Sequence, residues 1–281
     1  MAGSVNARLD SILIAVDFNE PSLKAARWVS RAFPGSRKSL VTVVEPPPAA
    51  PSLSHRFPSD DNIVESARSD AEKKLDDLKR EIGGSSGEVR VGRPHEQILH
   101  AARDKSADLI VVGRQDAGTS GFARVGAIAQ RLLRTSDKPI LVVAGDARAP
   151  LKRILTAVDE SPMTSLVLDL ADALGGEFSA DVTAVHVLTS SRSESEVNET
   201  RAWLEQRIGE SHIEPRVVAG ARRAAESIIA EAKSDSSDLI VIGSHGAGTE
   251  SGVAFGSVVE SVVVSAACPV LVVMQGSTAD Q

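Results

Sequence analysis

The chain repeats itself, and the repeat restricts its architecture more than any other feature. SILIAVDFNEPS, from Ser11, returns as RILTAVDESPMT from Arg153. SADLIVVG, from Ser106, returns as SSDLIVIG from Ser236, and KPILVVA, from Lys138, returns as CPVLVVM from Cys268. The step between copies is 142 residues at Asp17 and Asp159 but 130 at Gly113 and Gly243, so the first copy holds twelve more residues between these landmarks. The surplus falls in EPPPAAPSLSHRFPSDD, Glu45 to Asp61, where five prolines forbid a regular element. We read it as a surface excursion, with a partner-docking loop as the alternative.

Within each copy, short apolar runs alternate with helical patterns. The apolar run at 12–16, without alternation, reads as a strand buried on both faces, and 40–44, 88–91, 109–112 and 140–143 read as further strands. Between them, 20–33, 63–82, 94–104 and 126–134 read as helices, the first capped by Asn19. The second copy keeps the order, with strands at 154–158, 182–187, 213–218, 239–242 and 270–273. Its helices are one capped by Ser161 with Pro162 in the first turn, then 194–209, 223–233 and one opening at Gly256-Ser257. Such alternation predicts βαβ units and a parallel sheet covered on both faces. The expected domains are 1–146 and 151–276, joined across Ala144 to Pro150.

Composition removes several functional classes. A net charge of −7 leaves no basic footprint for nucleic acid. The first apolar run, Ile12 to Val16, is too short for a secretory leader and follows Arg8 and Asp10. Gly252 to Met274 carries one charge, Glu260, and is long enough to span a bilayer, but Pro269 splits it and its counterpart in the first copy is full of charges. We read helix, turn and strand in water, with no membrane segment. Cys268 is the sole cysteine, which suits a reducing cytoplasm and a small buried hydrophobe rather than a disulfide.

In an open α/β sheet, ligands bind beyond the carboxyl ends of the strands, where the strand order reverses. Asp159 and Gly243 both end strands there. If the two strands are neighbours, the carboxylate and a glycine loop, Gly243-x-x-Gly246 followed after nine residues by Gly256-Ser257, face one crevice. Glycines let backbone N–H groups approach an anion, and a helix start adds unpaired donors and a partial positive charge. Other signatures are missing or misplaced. There is no GxxxxGK[ST] and no GxSxG, and the Gly246 to Gly252 run imitates a dinucleotide fingerprint but follows the fourth strand. The histidines lack metal-ligand spacing, His245 faces phosphate or solvent, and Trp28 and Trp203 read as packing residues.

An Asp ending the first strand, DLIVIGSHG, nine residues, GS, and then CPVLVV together resemble the universal stress protein family. The likeness spans both halves, so the chain is similar to a tandem member. It implies two flavodoxin-like (Rossmann-like) α/β domains, each a five-stranded parallel sheet with helices on both faces. It also implies ATP binding: Asp159 on the ribose or adenine side, Val187 touching adenine through its backbone, and Gly243, Gly246, Gly256, Ser257 and Val258 cradling the phosphates. The closing strands of the two halves are expected to pair antiparallel within the chain, leaving a homodimer to use other surfaces.

The first copy departs from the pattern. It has Asp116 for the second glycine and Ala127 for the serine. We read that site as degenerate, with Arg114 and Arg124 able to offset part of the charge of Asp116. The second copy has no Lys or Arg from Ser234 onward, so its phosphates are expected to rest on backbone donors, the helix start and Mg²⁺, with AMP or ADP open beside ATP. The expected function is a nucleotide-binding stress regulator with an unidentified protein partner and no assignable catalytic residue. A scaffold of the same fold that binds no nucleotide is the alternative.

Overall fold

The computed structural model describes residues 9–46, 60–84, 86–115, 125–144, 147–189, 193–246 and 256–274. The proline-rich excursion, Asp116 and Arg124 lie largely or wholly outside them. The first half runs β1 (Ser11–Ala15), α1 (Glu20–Ala32), β2 (Arg37–Val44), α2 (Asp60–Ile82), β3 (Ser86–Val91), α3 (Pro94–Asp104), β4 (Leu109–Gly113), α4 (Ala127–Thr135) and β5 (Ile140–Val143). The second half repeats the order with β6 (Arg153–Val158), α5 (Thr164–Phe178), β7 (Asp181–Val187), α6 (Glu194–Ile208), β8 (Ile213–Val218), α7 (Ala224–Ser234), β9 (Leu239–Gly243), α8 (Ser257–Ser265) and β10 (Val270–Val273).

All ten strands form one sheet, in the order β3-β2-β1-β4-β5-β10-β9-β6-β7-β8. Each half is parallel throughout, and the order reverses between β1 and β4 and again between β6 and β9. β5 and β10 pair antiparallel, with Leu141 opposite Leu271, so each closing apolar edge is covered by the other. The central strands are buried on both faces, as unbroken apolar runs require. α1, α2, α5 and α6 cover one face, and α3, α4, α7 and α8 cover the other.

The outer edges carry charge instead. On β3, Arg90 pairs with Glu88 and Asp104. On β8, Arg216 pairs with Glu214, Glu231 and Asp235, and Pro215 interrupts the donor row. The repeated aspartate before β4 and β9 also has a structural use. Asp108 accepts from Ser11 N at 2.9 Å, and Asp238 accepts from Lys152 N and Arg153 N, so each carboxylate fixes the start of the adjacent strand.

Two local expectations change. Asn19 occupies the cap position of α1, but its side chain makes no cap bond; it donates to Asp17 instead. α5 begins at Thr164 rather than Pro162, because 161–163 forms a turn in which Ser161 Oγ accepts from Met163 N.

The join between halves is anchored. Trp28 Nε1 donates to the carbonyl of Arg148 at 2.7 Å, and the Arg148 guanidinium reaches the carbonyl of Ser236 and the carboxylate of Asp238. No helix among the described residues is long and apolar enough to cross a membrane.

Candidate functional site

β6 and β9 are neighbours, with Ala157 opposite Ile242. Asp159, one residue past β6, and Gly243, the last residue of β9, therefore stand side by side at the carboxyl edge of the sheet. A cavity of about 380 Å³ opens there. Every residue singled out from the sequence lines it: Asp159, Val187, Gly243, Gly246, Gly256, Ser257 and Val258. The ends of the glycine loop are drawn together by Gly256 N donating to the carbonyl of Ser244 at 3.1 Å, and Ser244 N in turn donates to Val273. The start of α8 thus returns to the end of β9, with its first-turn residues Ser257, Val258 and Val259 at the cavity wall.

Gly246 sits directly against the Asp159 carboxylate, which would have to turn aside for any side chain at 246. A Cβ there would lie 2.6 Å from Asp159 Oδ2. Gly243 is also tight, with a Cβ falling 3.2 Å from that of Met163. Gly256 differs: its nearest neighbour would be 3.6 Å away, so the fold alone tolerates a side chain there. Asp159 is half-buried and accepts from Ser161 N at 3.0 Å, which orients one carboxylate oxygen. Val187 is half-buried at the end of β7.

Sequence reasoning passed over other parts of the wall. Met163 comes from the turn before α5, Thr164 and Val167 from α5, and Ala224 and Ile228 from α7. They carry no motif, only the property of following a strand end. Arg222 and Arg223 immediately precede Ala224 in the chain and are exposed, with Arg223 paired to Glu226. His245 lines the cavity with Nδ1 at 2.9 Å from Ser244 Oγ. His186, beside Val187, turns to the other face and meets Trp203 edge-on at 5.3 Å. Burial pushes its pKa below the usual 6.5, with Glu160 and Asp159 pulling weakly the other way.

The first half repeats the cavity between β1 and β4, at about 570 Å³, with Asp17, Gly113, Gly126 and Ala127 in its wall. Arg114 does not serve it. Its side chain is buried and crosses to the second half, where Nη1 donates to the carbonyls of Val263 and Ala266. Asp116, whose charge Arg114 is expected to offset, lies outside the described residues.

Comparison with known proteins agrees with the topology. The family model described as the universal stress protein family matches residues 9–144 and 150–274. A universal stress protein of Mycolicibacterium smegmatis is 28% identical over 284 residues, covering 93% of this chain and 96% of that one. Universal stress protein Rv2623 of Mycobacterium tuberculosis is 24% identical over 298 residues, covering 95% and 97%. The crystal structure of a universal stress protein from Archaeoglobus fulgidus superposes with a TM-score of 0.74 at 18% identity, over 96% of this chain and all of that one. With the model matched across both halves and the same strand order built twice into one sheet, the chain belongs to the universal stress protein family.

Proposed function

We propose that this protein is an adenine-nucleotide-binding regulator of a stress response, built from domains 1–146 and 151–276, with the nucleotide held by the second. The observation that carries the reading is the convergence on one cavity of Asp159, Gly246 against its carboxylate, and the start of α8. The apolar side chains of Val187 and Ile228 suit a base, the Asp159 carboxylate suits ribose hydroxyls, and the backbone at Gly246 and the first turn of α8 suits phosphates. ATP fits this division, and AMP or ADP would use the same base and sugar contacts. Mg²⁺ would arrive with the phosphates. Among the described residues no group of three His, Cys, Asp or Glu side chains is placed to hold a metal, so phosphate oxygens and water would supply its ligands.

Asp159 and His245 face the cavity, and we assign no catalytic residue there; the reading is occupancy-dependent partner binding rather than turnover. The partner is a cytoplasmic protein that distinguishes the loaded from the empty cavity. A homodimer would use surfaces other than the closing strands, which already pair with each other.

The test begins with the ultraviolet spectrum of a heat extract of the purified protein, followed by a thermal shift in millimolar ATP and Mg²⁺. Released adenine nucleotide, or a raised melting temperature, supports the reading. Neither signal would favour a scaffold that binds no nucleotide. Gly246→Asp should abolish the shift while the fold persists, because it places a side chain and a charge against Asp159. Asp116→Gly should not weaken binding. Wild-type affinity in Gly246→Asp would remove the loop assignment.

A further inference from the structure

α8 forms one wall of the second cavity, yet part of what holds it belongs to the first domain. The helix is short, nine residues from Ser257 to Ser265, or about 13 Å along its axis. Its first-turn residues Ser257, Val258 and Val259 line the cavity. The side chains it buries are Val259, Val262 and Val263, all apolar. Apolar contact is non-directional, so it sets how deep the helix lies more firmly than where it lies along its own axis.

Hydrogen bonds at the two ends fix the axial position. At the cavity end, Gly256 N donates to the carbonyl of Ser244 at 3.1 Å. At the far end the bonds come from across the sheet. Arg114 Nη1 donates to the carbonyl of Val263 at 3.0 Å and to that of Ala266, the C-terminal cap, at 2.7 Å. Such charge-assisted bonds are stronger than neutral ones. Arg114 is itself fixed to the first domain, because its backbone N donates to the carbonyl of Val143 on β5 at 2.8 Å, and its side chain is buried. Each peptide of a helix is bonded to one a turn away, so a shift at Ala266 carries to Ser257. Backbone N–H groups hold an oxygen only at about 2.7–3.2 Å, so a small displacement there loosens an anion.

The duplication supplies the contrast. The position equivalent to Arg114 in the second half is Ser244, whose Oγ lies 2.9 Å from Nδ1 of its neighbour His245. The long cationic arm therefore runs one way, from the first domain to the helix beside the second cavity.

We propose that Arg114 is a positioning residue for the second cavity: from the first domain it sets where α8 presents its first turn, and with it the grip on phosphate. The proposal rests on the adenine-nucleotide reading of that cavity. It gives the first domain a part in the second site whether or not its own cavity is occupied.

Calorimetric titration of the full chain with ATP and Mg²⁺ tests this, paired with amide NMR spectra, at a temperature where circular dichroism shows every variant folded. Arg114→Met keeps the stem and removes the donors; Arg114→Gln, with a shorter side chain, takes its place should it fail to fold. Both bonds leave a single nitrogen, so a lysine Nζ can stand in for Nη1, and Arg114→Lys is the rescue. Leu78→Ala opens the core on the opposite face of the sheet and costs stability without touching α8. Arg114→Met should weaken ATP binding at least about tenfold, while Arg114→Lys stays within about threefold of wild type and Leu78→Ala within about twofold. Arg114→Met should also shift the amide resonances of Ser257 and Val258 more than those of Thr164 and Ser165 at the start of α5. The proposal is overturned if Arg114→Met binds ATP within about twofold of wild type, if Leu78→Ala loses as much, or if Arg114→Lys recovers none of the loss. A wild type that binds no ATP would sink the nucleotide reading instead. Displaced Ser257 and Val258 amides in Arg114→Met would then keep the positioning role, and unmoved amides would sink it as well.

Discussion

Arg114 Nη1 donates to the carbonyl of Ala266 at 2.7 Å, linking the end of β4 in the first domain to the C-terminal cap of α8 in the second. A second bond, to Val263 at 3.0 Å, satisfies another carbonyl that the helix end leaves open. A buried cation at a helix C-terminus also complements its dipole. The counterpart of Arg114 is Ser244, so only the first domain reaches across in this way. Arg114→Met keeps the side-chain stem and removes the guanidinium. It should cost about 1.5–3 kcal/mol, the range for hydrogen bonds to a charged group. Urea unfolding measures it, and an unchanged midpoint would reduce the contact to a decoration.

Neighbouring glycines in α5 should respond oppositely to the same change. A Cβ at Gly175 would lie 2.6 Å from Val182 Cγ2, in the core, whereas at Gly176 nothing lies within 4 Å. Gly175→Ala should destabilise by about 1–3 kcal/mol through overpacking. Gly176→Ala should stabilise by about 0.5–1 kcal/mol, because alanine has less backbone freedom to lose on folding. Denaturant midpoints for the pair decide it, and equal effects would mean that α5 does not pack on β7 in this register.

His186 should make stability depend on pH. Burial lowers its pKa in the folded chain relative to the usual 6.5, so in acid the unfolded chain takes up a proton that the folded chain refuses. Stability contributed by neutral His186 is full above the unfolded value. It is lost as pH falls below it, until the folded imidazole also titrates. The slope in that window is limited to about 1.4 kcal/mol per pH unit for one proton. His186→Leu should flatten the dependence between neutral and mildly acidic pH, and an unchanged slope in the variant would assign the effect to another group.

Cys268 should be inert in the folded protein. Burial, with a smaller contribution from Asp238, pushes its thiol up to about 12, so almost no thiolate exists near neutral pH. Cys268 is only half-buried, so scarcity of thiolate should make its labelling by an aromatic disulfide reagent at pH 8 much slower in the folded than in the unfolded chain. Rapid labelling without denaturant would contradict this burial.

Much of the fold is legible in the chain because the repeat states it twice. α3 and β5 begin and end where the pattern places them, α3 between Pro94 and the charged pair Asp104-Lys105 and β5 opening just after Pro139. β2 starts earlier than expected, at Arg37 rather than Leu40, because Lys38 and Ser39 are polar yet buried and paired with β1. α5 starts later because a local Ser161 turn competes with the helix. The cavity residues from α5 and α7 were not legible at all. Each is an ordinary apolar or small residue, and only the packing of the helix start on the sheet edge brings it to the site.

The sequence by itself determined the class of fold, its duplication and the glycine pattern at Gly243, Gly246 and Gly256, because these depend on periodicity and on which residues backbone sterics admit. The tertiary structure decided where long side chains go. Arg114 stands next to a loop in the chain, yet the antiparallel meeting of β5 and β10 carries it to the far end of α8. The same strand order sets Asp159 against Gly246, so that a side chain at 246 would meet its carboxylate. Such contacts depend on sheet register and strand order across distant segments, and local residue patterns do not encode them.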